Sequence, residues 1–233
     1  MRAMVGTASA GGFWAQLGER ERELMVAAGH ERRIGPGHRL FDEGQRAPSL
    51  VVIMRGRVKV SSLTMEGDER LLALRREGDL LGEMATLTGR TRTATVTAID
   101  EVRVVVIPAE DFERLWRAEP VILSALVHAL VHRVEEADRS RMDLLDEAPT
   151  RVRRLLADLA ERFGVQDPGG GVHIDLALTQ EELASLAFTS RGVVATVLRE
   201  LREQGIVRTA RRELVVADPA ALVRRVGAHD PAA

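Results

Sequence analysis

The chain has 233 residues, 45% of them hydrophobic and 29% charged, with a formal charge of −2 and no cysteine. That apolar content excludes a disordered chain, and the missing thiols exclude disulfides, zinc–thiolate sites, iron–sulfur clusters and a cysteine nucleophile. At roughly 100–200 residues per domain, the length fits one or two domains.

Met1 to Gly12 holds one arginine among small residues and reads as a loose tail, not a signal peptide. The longest apolar run, Val121 to Val131, is interrupted by Ser124 and His128 and falls short of the ~18 residues of a membrane span. A cytoplasmic protein with no membrane partner is therefore expected. The balanced charge gives no bulk affinity for nucleic acid, so any such footprint must be a local patch.

Residues 13–28 have the apolar spacing of a leading helix. From Ile34 to Pro108 short apolar runs alternate with glycines: Leu50 to Met54, Val58 to Val60, Leu71 to Leu74, Val96 to Ala98 and Val102 to Ile107. Short strands with turn signals about every ten residues indicate an antiparallel sandwich or barrel. Asp111 to Arg117 is a short helix, and Pro120 opens a long one to about Leu145. Leu123, Leu126, Leu130, Val134, Ala137 and Leu144 form a heptad-like stripe along it, suited to a partner helix or to packing on its own β-domain. Asp146 to Thr150 breaks the helix before Pro149.

The second half opens with a helix over Arg151 to Phe163, a turn, and a strand over Val172 to Leu176. Thr179 and Glu182 have the spacing of a capping box. A helix to about Ala187, a turn at Phe188 and Thr189, and a helix from the Ser190 cap to Gln204 follow. Two short strands, Ile206 to Thr209 and Glu213 to Ala217, complete a helix–turn–helix with a wing. The fold class is α+β: an N-terminal antiparallel, jelly-roll-like β-roll, a long dimerisation helix, and a C-terminal winged helix–turn–helix. The expected domains are 1–118 for the β-roll, 119–146 for the long helix and hinge, and 147–233 for the winged helix–turn–helix.

Two constellations carry chemistry. At the start of the second helix of the helix–turn–helix, Ser190, Arg191, Gly192, Val193 and Thr196 face outward, where an arginine can pair with a guanine edge in the major groove. Thr179 caps the helix before it, and Arg199, Arg202, Arg208, Arg211 and Arg212 are placed to meet phosphates. Docking onto a protein instead of DNA is the alternative. In the β-roll, a strand ending at Gly82 leads into a single helical turn whose N–H groups near Met84 and Ala85 offer an anion site. Arg92 can clamp a phosphate with paired donors, and Glu83 can accept from a sugar hydroxyl. A surface ion pair between Glu83 and Arg92 is the structural alternative.

The block Gly82 to Val96 resembles the phosphate-binding cassette of cyclic-nucleotide-binding domains, Gly-Glu-x-Ala-x-x-x-Gly-x-x-Arg-x-Ala-Thr-Val. Leu40 to Gly44, Val51 to Lys59 around Gly56, and Glu77 to Asp79 are similar to the rest of that β-roll. With the long helix and the winged helix, the likeness extends over nearly the whole chain and is to the Crp/Fnr family of bacterial regulators. It implies a homodimer that binds an operator in double-stranded DNA under effector control, with RNA polymerase as a candidate partner. It also implies phosphate–ribose contacts at Gly82, Glu83, Ala85, Arg92 and Thr93, and cyclic AMP or another cyclic nucleotide as effector.

Two departures stand out. Members that respond to cyclic AMP carry a hydroxyl pair in the long helix that meets the adenine; anchored on Pro120 and Arg133, those positions here are Ala137 and Asp138. The best-known recognition helix reads Arg-Glu-Thr-Val-x-Arg, whereas Arg191 to Thr196 keeps only the first of its two arginines and lacks its glutamate. His128 and His132 lie one turn apart without a third ligand, and His30 and His38 lack His-x-His spacing, so no metal is expected. No nucleophile elbow is present, and no enzyme is expected. The rivals are a constitutive or otherwise-liganded regulator of the same fold, a sensor whose winged helix docks a protein, and a jelly-roll metalloenzyme.

Overall fold

The computed structural model describes residues 12–46, 48–210 and 213–222. The described chain divides within one long helix into two compact units, one ending at Ala137 and the other beginning at Asp138.

The first unit is a β-roll of eight strands: β1 (His30–Ile34), β2 (Arg39–Phe41), β3 (Ser49–Arg55), β4 (Arg57–Leu63), β5 (Glu69–Arg76), β6 (Leu80–Leu81), β7 (Thr95–Ala98) and β8 (Val102–Pro108). They form two antiparallel sheets, β1-β8-β3-β6 and β2-β7-β4-β5. Strand alternation sends Val51, Ile53, Val102, Val104 and Val106 into the space between the sheets, with Phe41, Val58, Val96 and Ala98 in the same cluster. On the other face of the first sheet, Leu50, Val52, Val105 and Ile107 pack with residues from helices.

Those helices are α1 (Glu19–Ala27), α3 (Ala109–Ala118) and the start of α4 (Pro120–Asp143); α2 (Glu83–Thr88) lies between β6 and β7. The expected leading helix is two pieces, a 3-10 turn at Phe13–Gln16 and then α1. Gly18 separates them, in an extended conformation. The long stripe also needs correcting. Ile122, Ala125 and Leu126 are buried in the β-roll's outer core, with Leu130 against it, so Leu126 and Leu130 face their own domain. The outward apolar row is Leu123, Val127, Val131 and Val134, 39–60% exposed.

In the second unit α5 (Ala148–Phe163) starts earlier than its sequence suggests, with Pro149 inside the first turn. There the missing N–H is one that no helical carbonyl would accept. A sheet β11-β12-β10-β9 (β9 Gly164–Gln166, β10 Val172–Ile174, β11 Val207–Ala210, β12 Glu213–Val216) accompanies α6 (Gln180–Leu186) and α7 (Arg191–Glu203). Leu183, Val194, Val197, Leu198 and Leu201 are buried among them.

Candidate functional site

In the β-roll, the chain leaves β6 at Gly82 with φ +80° and enters the six-residue α2. An ideal Cβ at Gly82 would lie 2.0 Å from the Arg92 Nη1 atom, so the backbone passes directly under the guanidinium. Arg92 is 5% exposed. Its Nη1 donates to the Gly82 carbonyl at 3.0 Å and its Nη2 to the Ser49 carbonyl at 2.5 Å. The guanidinium lies 3.8 Å from the Phe41 ring centroid, a cation–π distance. Burial lowers the Arg92 pKa, opposed by the nearby Glu83 charge.

Glu83 is 1% exposed. Its Oε1 accepts from Arg133 Nη1 on α4, and Arg133 Nη2 donates to the Leu80 carbonyl. Glu83 Oε2 is buried with no hydrogen-bond partner. A surface Glu83–Arg92 pair is thus overturned: both residues are buried, and the carboxylate bonds Arg133. Arg133 is the member of this cluster that sequence reasoning missed, although its position had served as an anchor along the helix.

An ionised carboxylate with one oxygen unsatisfied is costly unless a donor arrives. A buried arginine hydrogen-bonded to neutral carbonyls keeps positive charge to offer an anion. Together they suit a ligand with an acidic group and an adjacent hydroxyl. Around them, Ala85 is buried, whereas Met84 and Thr93 are exposed. Ala137 is exposed one turn beyond Arg133 on α4. Asp138 belongs to the second unit, where its exposed carboxylate meets Arg141 Nη1 at 3.3 Å.

In that second unit the helix–turn–helix is built as its caps dictate. Thr179 Oγ1 accepts from Glu182 N at 3.2 Å and Glu182 Oε2 from Thr179 N at 2.8 Å. Ser190 Oγ accepts from Val193 N at 3.4 Å. Arg191, Gly192, Thr196 and Arg199 are exposed and Val193 half-buried along the start and outer side of α7. Arg191 sits 3.2 Å from the Glu181 carboxylate. Arg208 is engaged by Asp167 at 2.6 Å and the Gly170 carbonyl at 2.9 Å, and Arg202 by the Leu198 carbonyl and Thr209. Arg211 and Arg212 lie outside the described residues.

Among the described residues no group of three or more His, Asp or Glu side chains could hold a metal. Likewise, no described helix is long and apolar enough to cross a membrane.

Residues 31–119 match the cyclic nucleotide-binding domain family, and residues 150–225 the Crp-like helix-turn-helix domain. The chain is 34% identical over 191 residues to a CRP-like cAMP-activated global transcriptional regulator of Mycobacterium tuberculosis, covering 81% of this chain and 84% of that protein. It is 33% identical over 194 residues to a cyclic AMP receptor protein of Thermus thermophilus, covering 82% and 86%. The c-di-GMP-responsive global regulator CLP of Xanthomonas campestris has the same fold, with a TM-score of 0.76 at 23% identity over 86% of this chain and all of that one. With a nucleotide-binding β-roll followed by a winged helix–turn–helix, this chain belongs to the Crp/Fnr family of effector-controlled, DNA-binding transcription regulators.

Proposed function

We propose that the effector is a cyclic nucleotide, cyclic AMP foremost, bound at Gly82, Glu83, Ala85 and Arg92. The observation that carries this is the buried, unpartnered Glu83 Oε2 beside the buried Arg92 cation. On this reading a ribose hydroxyl donates to Oε2, and the cyclic phosphate draws Arg92 from the Gly82 and Ser49 carbonyls into charge-assisted bonds. The N–H groups of Met84 and Ala85, which precede the first intrahelical bond of α2, add neutral donors. The two relatives named for cyclic AMP support the choice of base, while the absence of a hydroxyl pair at Ala137 and Asp138 argues for a test beyond adenine.

On the same reading the protein is a cytoplasmic homodimer joined along Leu123, Val127, Val131 and Val134 of α4. It binds a twofold operator through Arg191 and its neighbours, and it acts on RNA polymerase. Calorimetric titration of the full chain with cyclic AMP, cyclic GMP and cyclic di-GMP decides the effector. Saturable binding of cyclic AMP with the tightest constant is the expected result, and heats of dilution alone for all three would overturn it.

A further inference from the structure

Arg151, in the first turn of α5, bonds three backbone carbonyls with one guanidinium. Its Nε donates to Ala187 O at 3.0 Å, Nη2 to Phe188 O at 2.8 Å and Nη1 to Asp146 O at 2.7 Å. The first two carbonyls belong to the turn between α6 and α7; the third lies in the segment between α4 and α5. Ala187 is the C-cap of α6, and carbonyls at a helix end lack donors from their own helix. A planar group with five donors can serve three such acceptors at once, and a lysine ammonium cannot match that geometry.

Phe188 is the only non-glycine among the described residues with a positive φ, at +49°. In that conformation Cβ crowds the following carbonyl, so something must hold it. Packing does little of this, because Phe188 is 53% exposed. The amides of the turn are held by the last turn of α6, Phe188 N on Ser185 O at 3.2 Å and Thr189 N on Ala184 O at 2.9 Å. The carbonyls of Ala187 and Phe188 are held by Arg151. Ser190 and Arg191 begin α7 two and three residues later, so the course of the turn sets the direction in which that helix leaves.

We infer that Arg151 is a positioning residue for DNA recognition: it holds the turn between α6 and α7 in its left-handed form and ties it to Asp146. Arg154 strengthens the same anchor, bonding the carboxylates of Asp143 and Asp146, the latter at 2.6 Å. Arg151 acts without touching DNA, through the turn. The inference rests on DNA binding by α7.

The test uses the full chain and a duplex that the unaltered protein enriches from a random-sequence pool in the presence of cyclic AMP. Arg151→Gln and Arg151→Lys should bind that duplex about 10-fold more weakly, with an unchanged slope of affinity against salt, since no phosphate contact is lost. Amide exchange at Phe188 and Thr189 should speed up. Adding Phe188→Gly to Arg151→Gln should recover most of the affinity, because glycine takes a positive φ without the clash. Full affinity in both single variants would overturn the inference, as would a loss, including loss of folding, that Phe188→Gly leaves uncorrected. If the unaltered protein enriches no duplex, DNA binding by α7 under cyclic AMP fails, and exchange at Phe188 and Thr189 still reports whether Arg151 holds the turn.

Discussion

Arg92 and Glu83 are opposite charges buried in one cradle, yet each is bonded elsewhere. Arg92 spends its donors on the Gly82 and Ser49 carbonyls, and Glu83 spends one oxygen on Arg133. For Arg92 those bonds replace water only in part, as its lowered pKa shows, and none of them is to a carboxylate. Replacing Arg92 by alanine should therefore weaken cyclic-nucleotide binding by about 1.5–3 kcal/mol, the worth of hydrogen bonds to a charged group. Titration calorimetry reads this directly, and an unchanged constant would remove Arg92 from the site. The Gly-Glu and Arg signals of this cradle were visible in the sequence because glycine, carboxylate and guanidinium each have a distinct use at fixed spacing. Arg133 was not, because it arrives from α4, fifty residues downstream of Glu83, and nothing local couples the two.

Along α4 the first turns bury one face in the β-roll and leave another outside. Apolar residues surround the helix axis from Val121 to Val131, so their spacing alone selects several stripes equally well. Only tertiary packing ranks them, which is why one stripe mixed Leu126 and Leu130, packed on the β-roll, with the exposed Leu123 and Val134. The two faces should respond differently. Leu126→Ala, at 3% exposure, should cost about 2–5 kcal/mol of stability in chemical denaturation, from lost transfer energy and a cavity. Val131→Asp, at 50% exposure, should leave the monomer's stability within about 0.5 kcal/mol. The same change should shift sedimentation from dimer to monomer if the outward row is the joint. Strands were legible where apolar residues dominate, as in β3 and β8. β1 was not: His30 to Arg33 are all exposed, and only Ile34 reports a buried strand, so its pairing with β8 is a tertiary fact.

Taken whole, the chain is a sensor and a reader joined through α4, and both modules were legible in their caps, turns and cassette. Two readers in a twofold dimer should contact DNA about 34–36 Å apart, so half-sites should be centred one helical turn from each other. Arg191 is 68% exposed in its side chain and shares its charge with Glu181, an exposed pairing that DNA can replace at small cost. Arg191→Ala should cost about 1–3 kcal/mol at one base position per half-site, measured by competition binding with single-base variants of an enriched duplex. Uniform weakening over all positions would instead mark Arg191 as a phosphate contact. Arg208 spends Nη2 on Asp167 and Gly170, so a phosphate there would compete with a carboxylate already beside the guanidinium, a competition invisible to sequence because Asp167 lies forty-one residues away.

Gly82 gives this molecule an unusual genetics. A single methyl group there would occupy the space of the Arg92 guanidinium, at 2.0 Å, on a backbone already at φ +80°. Gly82→Ala should therefore behave as an effector-blind allele by displacing the guanidinium, recovered in a reporter screen alongside substitutions of Arg92 itself. Gly89, at φ +65° with nothing within 4 Å of an added Cβ, closes the same short helix and should accept asparagine silently. A screen in which both glycines score alike would place the sensitivity in the helix, not in the seat of the arginine.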